Sequence, residues 1–161
     1  MLSKTGIPSI DQVKSRFPEV SVLEKPKAVI ECYENIACNP CSTSCPFDAI
    51  TIGADINTIP VVDFDKCTGC GICVYSCPGL AIIVSRLIGE KAEFKIAYEF
   101  LPAPIKGEVW DAVNRNGEVI GSAFIKLVNS RASLDRTNLV TVEVDNEFLY
   151  DFVTIRRKSS E

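Results

Sequence analysis

The 161-residue chain contains no histidine, and that absence removes much of the usual metal and acid-base chemistry. Without imidazole there is no Ser/His/Asp nucleophile set, no Rieske-type ligation and no histidine-bound haem. Long apolar runs are missing too: the longest strictly apolar stretch, residues 80–84, is far below the ~18 residues needed to span a bilayer. Residues 1–16 lack the apolar core of a secretory signal, so a cytoplasmic, disulfide-poor setting is expected. No strand-preceded glycine-rich phosphate loop occurs, and no catalytic residue is assigned. Excess positive charge is also lacking. With 17 Lys and Arg against 21 Asp and Glu the net charge is −4, which disfavours nucleic acid as a partner. Arg156, Arg157 and Lys158 read as a solvated end.

What the chain does have is eight cysteines, in two runs: Cys32-x5-Cys38-x2-Cys41-x3-Cys45-Pro46 and Cys67-x2-Cys70-x2-Cys73-x3-Cys77-Pro78. Structural zinc takes Cys in pairs separated by a longer connector, whereas each run here crowds four cysteines together. Disulfides need an oxidising compartment, against the reading of the first residues. The segment around the cysteines is also an internal duplication. Cys45-Pro46-Phe47-Asp48-Ala49-Ile50 aligns with Cys77-Pro78-Gly79-Leu80-Ala81-Ile82, and a short extended run precedes each first cysteine. Each half reads as strand, loop, short helix, strand.

Over residues 27–86 the chain resembles the dicluster bacterial-type ferredoxins, whose spacing the second run reproduces without deviation. The resemblance implies two 4Fe-4S clusters on a βαβ repeat, with the fourth cysteine of each run serving the other cluster. Cluster I then takes Cys32, Cys38, Cys41 and Cys77. Cluster II takes Cys67, Cys70, Cys73 and Cys45. Counting thiolates and oxidised cores, the loaded protein carries roughly −8. Gly69 and Gly71 let the second loop curl over its cluster, and Pro46 and Pro78 break the local helices. Tyr33 and Tyr75 are read as hydrophobic covers and Trp110 as core. The first loop departs from the family pattern through the longer spacer 33–37 and through Asn39-Pro40. Pro40 has no N–H to offer sulfur, so cluster I is expected to have the lower reduction potential.

The flanks read differently. Ser9 and Gln12 form a capping-box pattern opening a helix, and residues 1–26 are an N-terminal helix and connector. Residues 87–161 hold no cysteine and alternate in strand fashion, with a hairpin signal at Asn116-Gly117 and a second expected around Asp145-Asn146. The expected fold class is α+β: a dicluster unit, residues 27–86, followed by a small β-barrel or rolled-sheet docking domain, residues 87–161. Mean hydropathy of +0.16 points to apolar surface that meets another subunit.

The expected function is that of an electron-transfer subunit relaying single electrons between a flavin, FAD or FMN, or another centre on a partner oxidoreductase subunit and an acceptor. A free ferredoxin-type carrier is the alternative. The dicluster core followed by Lys106-Gly107-Glu108-Val109 and residues 115–121 makes the chain similar to small subunits of flavin-dependent amine or amino-acid dehydrogenases, including those acting on proline and hydroxyproline, with small subunits of 2-oxoacid oxidoreductases or hydrogenase-like complexes as open alternatives.

Overall fold

The computed structural model describes residues 2, 4–131, 134 and 136–159. Helix α1, Ile10–Arg16, opens on the expected capping box: Ser9 Oγ accepts from the Gln12 N–H and the Gln12 side chain accepts from the Ser9 N–H. Asp11 lies in its first turn and Lys14 and Arg16 in its last, complementing the helix dipole. Where a plain connector was expected, residues Val20–Glu24 form a 3-10 turn that buries Leu23 completely.

Among the described residues nine strands follow. A seven-stranded antiparallel sheet has the order β1-β4-β5-β8-β7-β6-β9, with β1 at Lys27–Ile30, β4 at Ile82–Ile88, β5 at Lys91–Tyr98, β6 at Val109–Asn114, β7 at Val119–Asn129, β8 at Asn138–Asp145 and β9 at Phe152–Arg156. A separate two-stranded ribbon pairs β2, Ile50–Thr51, with β3, Val61–Val62. Asn116-Gly117 does turn β6 into β7: Gly117 adopts φ 79°, and the Asn114 side chain accepts from the N–H groups of Asn116 and Glu118. The second hairpin does not form. β8 already has β5 on one edge and β7 on the other, so after the 3-10 turn Asn146–Phe148 the chain leaves it and β9 pairs with the free edge of β6.

The sheet curls but does not close into the barrel that was one expectation; it is an open sheet with β1 and β9 as its edges. Phe94 on β5 stacks on Phe152 of β9 with ring centroids 4.6 Å apart. Across that many strands a flat sheet would hold them about 19 Å apart. The N-terminal segment occupies the gap that closure would need: Val13, Phe17, Leu23 and Val29 share one core with Phe94, Trp110, Phe152 and Ile155. Phe17 meets Tyr150 edge-on at 5.0 Å, and Arg115 in the β6–β7 turn pairs with Glu31 just beyond β1. Trp110 is core, as expected.

Strands β1 and β4 tie this sheet to the cysteine segment. By strand alternation Val29 and Ile83 face the sheet core, while Ala28, Ile30, Ile82 and Val84 join a second core with Val74, Leu134, Leu139 and cysteines. The boundary expected between residues 86 and 87 falls inside β4, and β5 continues the same sheet.

Candidate metal centre

The two cysteine runs follow one backbone path twice. From β1 the chain passes through a loop into α2, Pro40–Ser44, and on to β2; from β3 it passes through a loop into α3, Ile72–Ser76, and on to β4. Both helices stop at a cysteine followed by proline, Cys45 at φ −73°, ψ 114° and Cys77 at φ −75°, ψ 115°. Three residues later each half adopts the left-handed region, Asp48 at φ 51° and Leu80 at φ 52°. The halves close on each other through antiparallel pairs, β1 with β4 and β2 with β3.

Two cavities result, each rimmed by four cysteines. One, of about 430 Å³, is lined by Cys32, Cys38, Cys41 and Cys77 among Ile30, Ile36, Pro40, Pro60 and Ile82. The other, of about 320 Å³, is lined by Cys45, Cys67, Cys70 and Cys73 among Ala28, Ile50 and Val84. Cys45 and Cys77, the last cysteines of their runs, have thus changed sides.

Electrostatics sorts the thiols in the same way. Burial pushes the Cys32 thiol up, and Cys77 and Cys38 raise it further against the opposing charge of Arg16. Cys41 is raised by burial first; a backbone hydrogen bond at Ser42 opposes this, and Cys77 and Cys38 add to the rise. Cys73 is pushed to about 12, by burial and then by Cys67, Cys70 and Cys45, with Cys41 of the other cavity as the smallest contribution. Thiols raised in this way do not ionise in an apolar hollow unless cations stand beside them, which is the chemistry of a metal-thiolate site. A single tetrahedral ion draws its donors onto one atom, and among the described residues no three Cys, Asp or Glu side chains are grouped in that way. A four-iron cluster binds each thiolate through a different iron, so the rim of a cavity serves it.

The backbone around the second cavity is built to donate. No hydrogen-bond partner among the described residues takes the N–H groups of Thr68, Gly69, Cys70 or Gly71, although Gly69 and Gly71 are buried. The Ala28 N–H meets Cys67 Sγ at 3.3 Å, and in the other half the Ala81 N–H meets Cys77 Sγ at 3.4 Å. Such donors stabilise negative sulfur. Gly69, at φ 70°, lies so close to Pro26 that an added Cβ would stand 2.6 Å from the Pro26 carbonyl oxygen. Gly69→Ala must therefore displace the loop. Metal analysis of that variant is expected to find about four irons per chain, where two intact clusters would carry about eight. Full iron would mean that the loop tolerates the shift.

Tyr75 packs on the cysteine core, in keeping with a covering role. Tyr33 is half-buried, and burial together with the Glu31 carboxylate pushes its hydroxyl to about 12. Sequence reasoning missed several parts of the site. Arg16 donates to the carbonyls of Ile30 and Pro60, both at 2.7 Å, and Leu139 on β8 packs against Gly71. Lys27, which donates to the carbonyls of Phe64 and Cys67, and Lys95, which donates to that of Gly69, were missed as well. The one available signal was a lysine heading the otherwise apolar strand Lys27-Ala28-Val29-Ile30.

Comparison with known proteins bears on this segment. Residues 36–81 match the family model of the 4Fe-4S dicluster domain. One component of the Na(+)-translocating ferredoxin:NAD(+) oxidoreductase complex of Acetobacterium woodii is 58% identical over 38 residues, 24% of this chain and 11% of that protein. The ferredoxin-type protein NapF of Haemophilus influenzae is 41% identical over 54 residues, 32% of this chain and 31% of that protein. The formate dehydrogenase iron-sulfur subunit of Wolinella succinogenes is 46% identical over 39 residues, 24% of this chain and 18% of that protein. Across such curated relatives the matched stretch spans from 11% to 32% of their length. No solved structure matches the chain. Among the described residues no helix is long and apolar enough to cross a membrane.

Proposed function

We propose, from a 4Fe-4S dicluster domain at residues 36–81, that the chain is an electron-transfer subunit of an oxidoreductase. Its two clusters are held in a ferredoxin-like fold, one on Cys32, Cys38, Cys41 and Cys77 and the other on Cys45, Cys67, Cys70 and Cys73. The observation that carries the reading is the pair of neighbouring cavities, each with four thiols and each with one thiol exchanged between the runs. When bound, each cluster takes up and releases one electron at a time. The chain's own residues supply the thiolates, aim backbone N–H groups at them and keep water out with Ile30, Ile50, Ile82 and Val84. Cys70 is the exposed cysteine of the second rim, which makes that rim a natural point of exchange with a partner.

The partner is a flavoprotein subunit carrying FAD or FMN, in the cytoplasm. Its proposed substrate is an amine or an amino acid of the proline or hydroxyproline type, on the resemblance carried by residues 106–109 and 115–121. Support for a subunit contact comes from the loop after β5, where Phe100, Leu101 and Ile105 are 71%, 90% and 65% exposed.

Native anaerobic purification tests the reading. The chain is expected to elute together with a flavin-containing subunit, and its visible absorption is expected to bleach when that subunit's substrate is added. Elution alone, with reduction only by externally added donors, would make it a free ferredoxin-type carrier.

A further inference from the structure

Resting on the cluster reading above, we propose that Lys27 and Lys95 are positioning residues for the loop 67–71: they turn its amides toward Cys45, Cys67, Cys70 and Cys73 and make the cluster held there easier to reduce.

Lys27 is only 7% exposed, at the head of a strand whose four residues are all buried. Among the described residues it has no carboxylate partner. Its ammonium donates instead to two carbonyls of the second cysteine loop, Phe64 O at 2.5 Å and Cys67 O at 2.7 Å. Lys95, on β5, reaches the same loop from the other side and donates to Gly69 O at 2.8 Å. A buried ammonium bound only to neutral carbonyls is costly unless negative charge lies close by. The four thiolates of a bound cluster would supply that charge.

The geometry of the peptide unit does the rest. The peptides after Cys67 and Gly69 are trans, and in each the carbonyl and the following N–H point in opposite directions. Neither lysine lines the cavity, whereas residues 67–73 do. Holding the Cys67 and Gly69 carbonyls outward therefore turns the Thr68 and Cys70 N–H groups inward, and neither has another partner among the described residues.

The other cavity is not without amides, since backbone hydrogen bonds at Glu34, Ser42 and Cys41 act on the Cys32 and Cys41 thiols. Pro40, Pro60 and Pro78 line it without an N–H, as Pro46 does in the second cavity, and the carboxylate-bearing Glu34 lines it as well. The cation acting there is Arg16, whose charge opposes the rise at Cys32. Amide dipoles and ammonium charge favour an added electron; a carboxylate opposes one. The two lysines and the inward amides they hold therefore raise the potential of the cluster on Cys45, Cys67, Cys70 and Cys73.

An EPR-monitored redox titration of the full chain tests this, with each signal assigned by Cys38→Ser and Cys70→Ser. In Lys27→Met/Lys95→Met the reduced-to-oxidised ratio of the Cys67-side cluster, read at its wild-type midpoint, is expected to fall at least tenfold, equal to about 59 mV for one electron. The other cluster's ratio should move less than threefold. Lys95→Gln, which keeps a donor but no charge, should fall between wild type and Lys95→Met. Equal shifts at both clusters, or none, overturn the assignment and leave the lysines as loop clamps. If the double variant holds no iron, Lys95→Met alone decides, with a threefold fall at the Cys67-side cluster as the threshold. Absence of iron from the wild-type chain would instead overturn the cluster reading itself.

Discussion

Replacing Cys45 and Cys67 together by alanine is expected to leave about four irons per chain, while replacing Cys41 and Cys45 together leaves almost none. The two double variants remove the same number of thiols and differ only in which cavities they damage. Cys45 and Cys67 line the same cavity, so their losses fall on one cluster and do not add. Cys41 lines the other, so the second pair strikes both. Without the exchange of Cys45 and Cys77 the outcomes would reverse, because Cys41 and Cys45 would then serve one cluster. Iron and sulfide analysis of anaerobically purified protein reads the result, and wild type should show about eight of each. Tightly bound zinc with no visible absorption would overturn both expectations.

Cutting the chain after residue 86 is expected to abolish stable cluster binding, not to release a self-sufficient dicluster unit. The cut severs β4 within its own span and removes β5, its partner from Val84 onward. Val29 and Ile83 would lose Phe94, Ile96 and Val140 from their shared core. Exposing two such aliphatic side chains costs about 1.5–3 kcal/mol each, a large part of the ~5–15 kcal/mol by which a domain is stable. The second cysteine loop would lose Lys95 and Leu139, which brace Gly69 and Gly71. Size-exclusion chromatography with iron analysis of fragment 1–86 should find aggregated or iron-poor material. A monomeric fragment with about eight irons would make residues 87–161 a separable docking domain.

The cysteine chemistry could be read in the sequence because metal ligation is local and imposes its spacing on the chain. Every cysteine from Cys38 to Cys77 falls within residues 36–81, the segment that matches the dicluster family model. Cys32 lies ahead of that segment, and it is the cavity that brings it beside Cys77. The Asn116-Gly117 hairpin was legible for the same local reason. The Asp145-Asn146 hairpin was not, since its formation depends on whether β8 has a free edge, and β5 and β7 have taken both.

By itself, then, the sequence determined the number and type of the candidate metal ligands, the duplicated path that presents them, the capping of α1 and the strand-rich character of the second half. These follow from neighbours a few residues apart. Only the tertiary structure decided that the sheet stays open around α1, that β1 and β4 wall both cores, and that Lys27 and Lys95 brace one cysteine loop while prolines and Glu34 line the other cavity. Lys95 and Gly69 are 26 residues apart in the chain, and Lys27 and Cys67 are 40 apart. Contacts over such distances are set by how strands pair and curl, because side-chain burial, not local backbone preference, selects among the pairings that the same residues could make.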